Sequence, residues 1–121
     1  MADVCKYEGP RVLLVEGPDD CHVILALCQA HNVPETFGIY QCDGNERLLS
    51  RLNALIIRPD ALQVIGVVMD ADEPDLIGRW QQIQHKIRSH RYTFPNTPSI
   101  EGTILPDVPN KPKLGIWLMS R

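Results

Sequence analysis

Apolar and polar positions along this chain fall into blocks of two kinds, short unbroken apolar runs and longer stretches with helical spacing. In Arg11 to Glu16, four consecutive apolar residues, Val12, Leu13, Leu14 and Val15, end on an acid. An unbroken run of this length is expected of a strand covered on both faces. From Asp19 to His31 the spacing of Val23, Ile24, Leu27 and Ala30 predicts a helix. "NVPE" breaks it, and Thr36 to Gln41 reads as a second strand. "CDGN" then supplies a turn and a cap. Glu46 to Ile57 reads as a second helix burying Leu48, Leu49, Leu52, Leu55 and Ile56, stopped by "RPDA". Leu62 to Met69, "LQVIGVVM", is a third apolar strand. Leu76, Trp80, Ile83 and Ile87 mark a third helix.

This β-α-β-α-β-α series predicts an α/β fold with a parallel sheet and right-handed crossovers. Beyond it the pattern dissolves. Five of the ten prolines fall between Tyr92 and Lys113, so residues 91–113 read as an irregular tail. Leu114 to Met119, "LGIWLM", is expected to form a last strand. No repeat or low-complexity tract divides the chain, and residues 1–121 read as one domain with its core at about 11–90.

Composition narrows the function classes. Hydrophobic residues make up 44% and charged residues 22%, as in a globular protein. The formal charge is −3, so no global basic field attracts nucleic acid, and a polyanion would need a local Lys/Arg patch or a metal ion. The first ten residues lack an apolar core of signal-peptide length, and no stretch reaches the length of a membrane span. Cys5, Cys21, Cys28 and Cys42 form no C-x-x-C pair, and all four are expected to be reduced in a cytoplasmic protein.

The chemistry lies in the acids that follow the strands. Ligands of an open parallel sheet collect beyond the carboxyl ends of its strands. Glu16 closes the first strand, Asp20 follows four residues on, and Asp70 and Asp72 close the third. "EGPDD" or "DADEPD" alone is more often a turn or cap than a site. Placed together after two apolar strands, these acids suit Mg²⁺, a hard cation that takes oxygen ligands and keeps several waters.

At these residues the chain resembles a known family. "LLVEGPDD" looks like the strand and E-G-x-x-D opening of Toprim domains, and "GVVMDAD" resembles their strand followed by D-x-D. The resemblance covers about residues 11–90. It implies a Rossmann-like parallel sheet flanked by helices, and kinship with small stand-alone bacterial Toprim-like proteins and OLD-type nucleases. It assigns Glu16 as general acid/base or metal ligand, Asp20 as the acid of the first motif and a second catalytic residue, and Asp70 and Asp72 as metal ligands, with Gly17 permitting the turn. Mg²⁺ is the implied cofactor, with Mn²⁺ as its substitute. In the small stand-alone group the last strand leads into further chain, whereas here Arg121 follows it closely, as in a shortened form of a longer protein. No cysteine cluster supplies a primase-like zinc module, and the topoisomerase tyrosine belongs to a domain not found here.

Other residues read more plainly. His22 is expected to be a partly exposed helical histidine. His85, Lys86, Arg88, His90 and Arg91 form a basic helix end that complements the helix dipole and is the best candidate for phosphate contacts. Trp80 and Trp117 read as packing residues. Asp43 or Arg47 faces a ligand if the turn after the second strand borders the crevice.

The leading expectation is Mg²⁺-dependent phosphodiester chemistry on DNA or RNA, as a nuclease. The alternative is a non-catalytic Toprim-fold binding or regulatory module that acts through a protein partner. A receiver-like phosphoacceptor at Asp70 is a third reading, weakened because only Lys113 stands where its lysine loop would be. The last strand is expected at a sheet edge, which would favour a homodimer or strand exchange. No membrane association is expected.

Overall fold

A computed structural model describes residues 4–34, 36–58, 62–71 and 75–119. The chain runs β1 (Arg11–Val15), α1 (Pro18–Ala30), β2 (Gly38–Gln41), α2 (Asn45–Ile56), β3 (Val64–Asp70), α3 (Leu76–Lys86), a 3₁₀ turn (Arg88–His90), β4 (Thr103–Ile104) and β5 (Lys113–Met119). These strands form one five-stranded sheet in the order β2-β1-β3-β5-β4. Pairs β1–β2, β1–β3 and β3–β5 are parallel, and β4–β5 is antiparallel. The expected α/β class and mostly parallel, helix-flanked sheet are therefore present.

Side chains alternate across the strands as pleating requires. Val12, Leu14, Ile65, Val67, Met69, Leu114, Ile116 and Leu118 belong to one buried cluster, with the apolar stripe of α2 and with Trp80, Ile83 and Ile87. The opposite face carries Leu13, Val15, Ile39 and Val68 against α1, in a much smaller cluster. The tail closes over the larger core. Trp80 donates its indole N–H to the Pro95 carbonyl at 2.9 Å and meets the Phe94 ring edge-on at 5.2 Å. The Tyr92 hydroxyl donates to the Pro112 carbonyl, and burial pushes its pKa up to about 12.

Three expectations need correction. Cys5 and Cys21 are joined by a disulfide, which ties the segment before β1 to the first turn of α1, while Cys28 and Cys42 are free. Sixteen residues separate the pair in sequence, so spacing alone gave no sign of it. The last strand is not at the edge of the sheet either, because Thr103 and Ile104 pair with Ile116 and Gly115 on its outer side. The supposedly structureless tail thus holds a strand too short to show a period. At the other edge, the segment around Lys6 bridges Tyr40. It lies so close that a Cβ on Gly38 would meet the Tyr7 carbonyl oxygen at 2.3 Å, which explains glycine there. Among the described residues no helix is long and apolar enough to cross a membrane.

Candidate functional site

Strand register brings the two acidic motifs together. Val15 stands beside Val68 in neighbouring parallel strands, so Glu16 and Asp70 emerge at the same carboxyl edge of the sheet. Glu16 Oε1 accepts the backbone N–H of Asp70 at 2.6 Å, joining residues 54 apart in sequence. The ends of the other strands complete the rim. Cys42 N–H donates to the Val15 carbonyl at 2.9 Å, Gly44 N–H to the Glu16 carbonyl at 2.8 Å, and Ala71 N–H to the Met119 carbonyl at 2.9 Å. The turn between β2 and α2 reaches this position through left-handed backbone at Asp43 (φ 59°) and Gly44 (φ 121°).

Burial raises the Glu16 pKa above its ordinary value, and the charges of Asp70 and Asp20 push the same way. The Asp70 N–H bond and the Arg79 charge oppose them. Arg79, in the first turns of α3, is therefore a cation within reach of the acids that the sequence reading missed. Its guanidinium donates to Gln82 Oε1 at 2.9 Å, while its buried Nε has no partner among the described residues. The available signal was positional, since α3 begins directly after the acidic strand end.

The remaining candidates divide. Asp20 Oδ2 accepts the Gly17 N–H at 3.1 Å, half of a capping box at the start of α1. Local turn chemistry thus accounts for one of its oxygens, though its charge still reaches Glu16. Asp72 lies outside the described residues. Among the described residues no group of three or more His, Cys, Asp and Glu stands close enough to hold a metal ion. Glu16 and Asp70 instead meet at a shared sheet edge through one carboxylate oxygen and one backbone N–H.

The basic helix end proves to be in the wrong place for this site. Because α3 starts at the carboxyl edge and runs back along the sheet, Lys86 and Arg88 lie toward the opposite rim. His90 turns inward and donates from Nε2 to Asn53 Oδ1 at 2.6 Å. His22 is exposed on α1, as expected.

A second cluster borders the rim on its β2 side. The guanidinium of Arg51 lies 3.9 Å from the centre of the Tyr40 ring, and Lys6 lies 5.2 Å from it. Glu8 pairs with Arg51 at 2.7 Å and with Arg58 at 3.3 Å, and Lys6 pairs with Asp43 at 3.3 Å. The Lys6 bond holds the Asp43 carboxyl below its usual range, helped by Gln41. Burial pushes the Cys42 thiol up to about 11 despite nearby Arg51 and Lys6, which disfavours its thiolate.

Compared with known proteins, residues 10–120 match a protein-family model described as "Protein of unknown function (DUF3226)". No curated protein and no solved structure matches the chain.

Proposed function

The chain belongs to the DUF3226 family, and we propose that it carries out Mg²⁺-dependent phosphodiester chemistry on nucleic acid, as a nuclease with a Toprim-like arrangement of acids. The observation that supports this reading is the approach of Glu16 to Asp70 across adjacent parallel strands. A divalent ion bound there would activate water and stabilise charge on the leaving oxygen. In this reading Asp70 and Asp72 are the carboxylates that would hold the ion. Glu16 commits one oxygen to the Asp70 backbone, which fixes its orientation. Burial raises its pKa, which favours the protonated form it would need as a proton donor. Asp20 holds the Gly17 turn and adds negative charge, a positioning role rather than proton transfer.

Labelled DNA and RNA incubated with Mg²⁺, Mn²⁺ or chelator provide the test. Cleavage is expected only with metal, falling by roughly 10²-fold or more in Glu16→Gln and Asp70→Asn. The fold control has a sign of its own. A carboxyl whose folded pKa is raised favours the native state below its unfolded value, and that contribution is lost as pH rises through the folded value. Glu16→Gln should therefore melt higher than the parent at neutral pH. Folded protein that cuts no substrate under any metal condition, or variants that cut as well as the parent, would sink the proposal.

One observation favours the alternative of a non-catalytic module working through a partner. On the α1 face a cavity of about 270 Å³ is lined by Leu13, Phe37, Gly66, Ile104 and Trp117. Such an apolar sheet face suits a protein surface better than a polyanion. Specific capture of a protein partner by a chain that binds no metal in calorimetry would select this reading.

A further inference from the structure

We infer that the cavity along the outer side of α2 is a phosphate-binding track that leads a nucleic-acid strand to the carboxylate edge. The inference extends the phosphodiester reading and rests on it for what happens to the bound strand.

The track begins in sequence spacing. Arg47, Arg51 and Ala54 lie four and then three residues apart, on one side of α2, and Arg58 follows just past its end. At the helical rise this row extends over about 16 Å, enough for several successive phosphates of one strand. The N-terminal segment supplies the other wall, with Lys6 and Glu8, and the cavity between them measures about 530 Å³. Four cationic side chains line it against two carboxylates, a surplus of two positive charges on a chain whose formal charge is −3. The local patch that an acidic chain needs to meet a polyanion is therefore present, away from the basic helix end that the sequence reading favoured.

Ion pairing alone is the plainer account of such a cluster, and exposed pairs contribute little to stability. Geometry favours a ligand instead. Glu8 binds Arg51 and Arg58 at once and Tyr40 supports the Arg51 plane, so the guanidiniums are held in place before any anion arrives. The track also ends where a substrate would be needed. Cys42 and Asp43 form its upper wall, and Gly44, the next residue, is hydrogen-bonded to the Glu16 backbone.

The recognised chemistry is the phosphate of a nucleic-acid strand. Fluorescence anisotropy of a short labelled single-stranded oligonucleotide, at low salt with chelator, reads the track without divalent ions. The parent should bind, with the logarithm of affinity falling by about 0.7 of a unit per phosphate contact for each logarithmic unit of salt. Arg47→Glu should weaken binding roughly tenfold or more. Arg51→Lys, which keeps charge but loses the guanidinium over Tyr40, should weaken it less, and Arg88→Glu, outside the cavity lining, should leave it unchanged. Displacement by unlabelled strand but not by a mononucleotide assigns the ligand as a strand, and a mononucleotide that displaces as effectively as strand overturns the track. A parent that does not bind, an Arg47→Glu variant that binds as the parent does, or an equal loss in Arg88→Glu overturns the track. Binding in chelator without cleavage in Mg²⁺ overturns the phosphodiester reading and leaves the track standing.

Discussion

The two faces of the sheet are built on different physical terms. Beneath α2 and α3 lies a continuous core with Leu48, Leu52, Trp80, Ile83 and Ile87 almost wholly buried, sealed by the tail through Tyr92 and Trp80. Beneath α1 only Cys21 is fully buried among the helix's own residues, and Val23 and Leu27 are 56% and 53% exposed. One face is held by burial. The other is held largely by a covalent tie from Cys21 to the N-terminal segment. An apolar sequence therefore does not by itself identify the structural core, because α1 is as rich in hydrophobic residues as α2 and buries far fewer of them.

The contrast can be broken from either side. Trp80→Ala removes a fully buried ring, a T-shaped contact and a hydrogen bond, and should cost about 3–5 kcal/mol in urea unfolding. A loss under about 1 kcal/mol would mean that the tail does not seal the core. Cys21→Ser, or reduction by a thiol, should cost about 3 kcal/mol, as expected for a loop of this length, and should loosen α1 before α2 in hydrogen exchange. Simultaneous exchange of both helices would show that the two faces unfold as one unit.

A smaller effect lies at the seam between α2 and the tail. Burial, and then the Lys111 charge, hold His90 below its ordinary pKa of 6.5. The unfolded chain takes up a proton near that value while the folded chain resists it, so stability is full above it and falls as pH drops toward the folded pKa. Thermal melts from about pH 8 to pH 5 should show this loss in the parent and a shallower one in His90→Gln. Equal slopes would remove His90 from the account. The smallest change is expected on the outer face of α1, where Val23→Ser should shift stability by no more than about 0.5 kcal/mol. A larger loss would show that α1 contributes more burial than its exposure indicates.

What could be read from the chain follows the same division. Apolar runs ending at Glu16 and Asp70 gave the strands and the shared acidic edge, because strands covered on both faces carry a signal in every residue. The second helix was legible through Leu48, Leu49, Leu52, Leu55 and Ile56, all buried as expected. The Cys5–Cys21 bond was not, since it depends on where the N-terminal segment packs. β4 was hidden by its two-residue length. The arginine row on α2 was present as spacing, but it is sparser in sequence than the basic cluster at the end of α3. That cluster faces the other rim, a fact of crossover direction rather than of composition.

The hydrogen bond from the Asp70 backbone N–H to Glu16 closes a loop containing all of α1, β2 and α2. Contacts so distant along the chain form slowly, because the intervening loop must be ordered before they are rewarded. A chain in which β1 and β3 have not paired therefore holds its acids apart, and the shared edge exists only once that parallel pairing has formed.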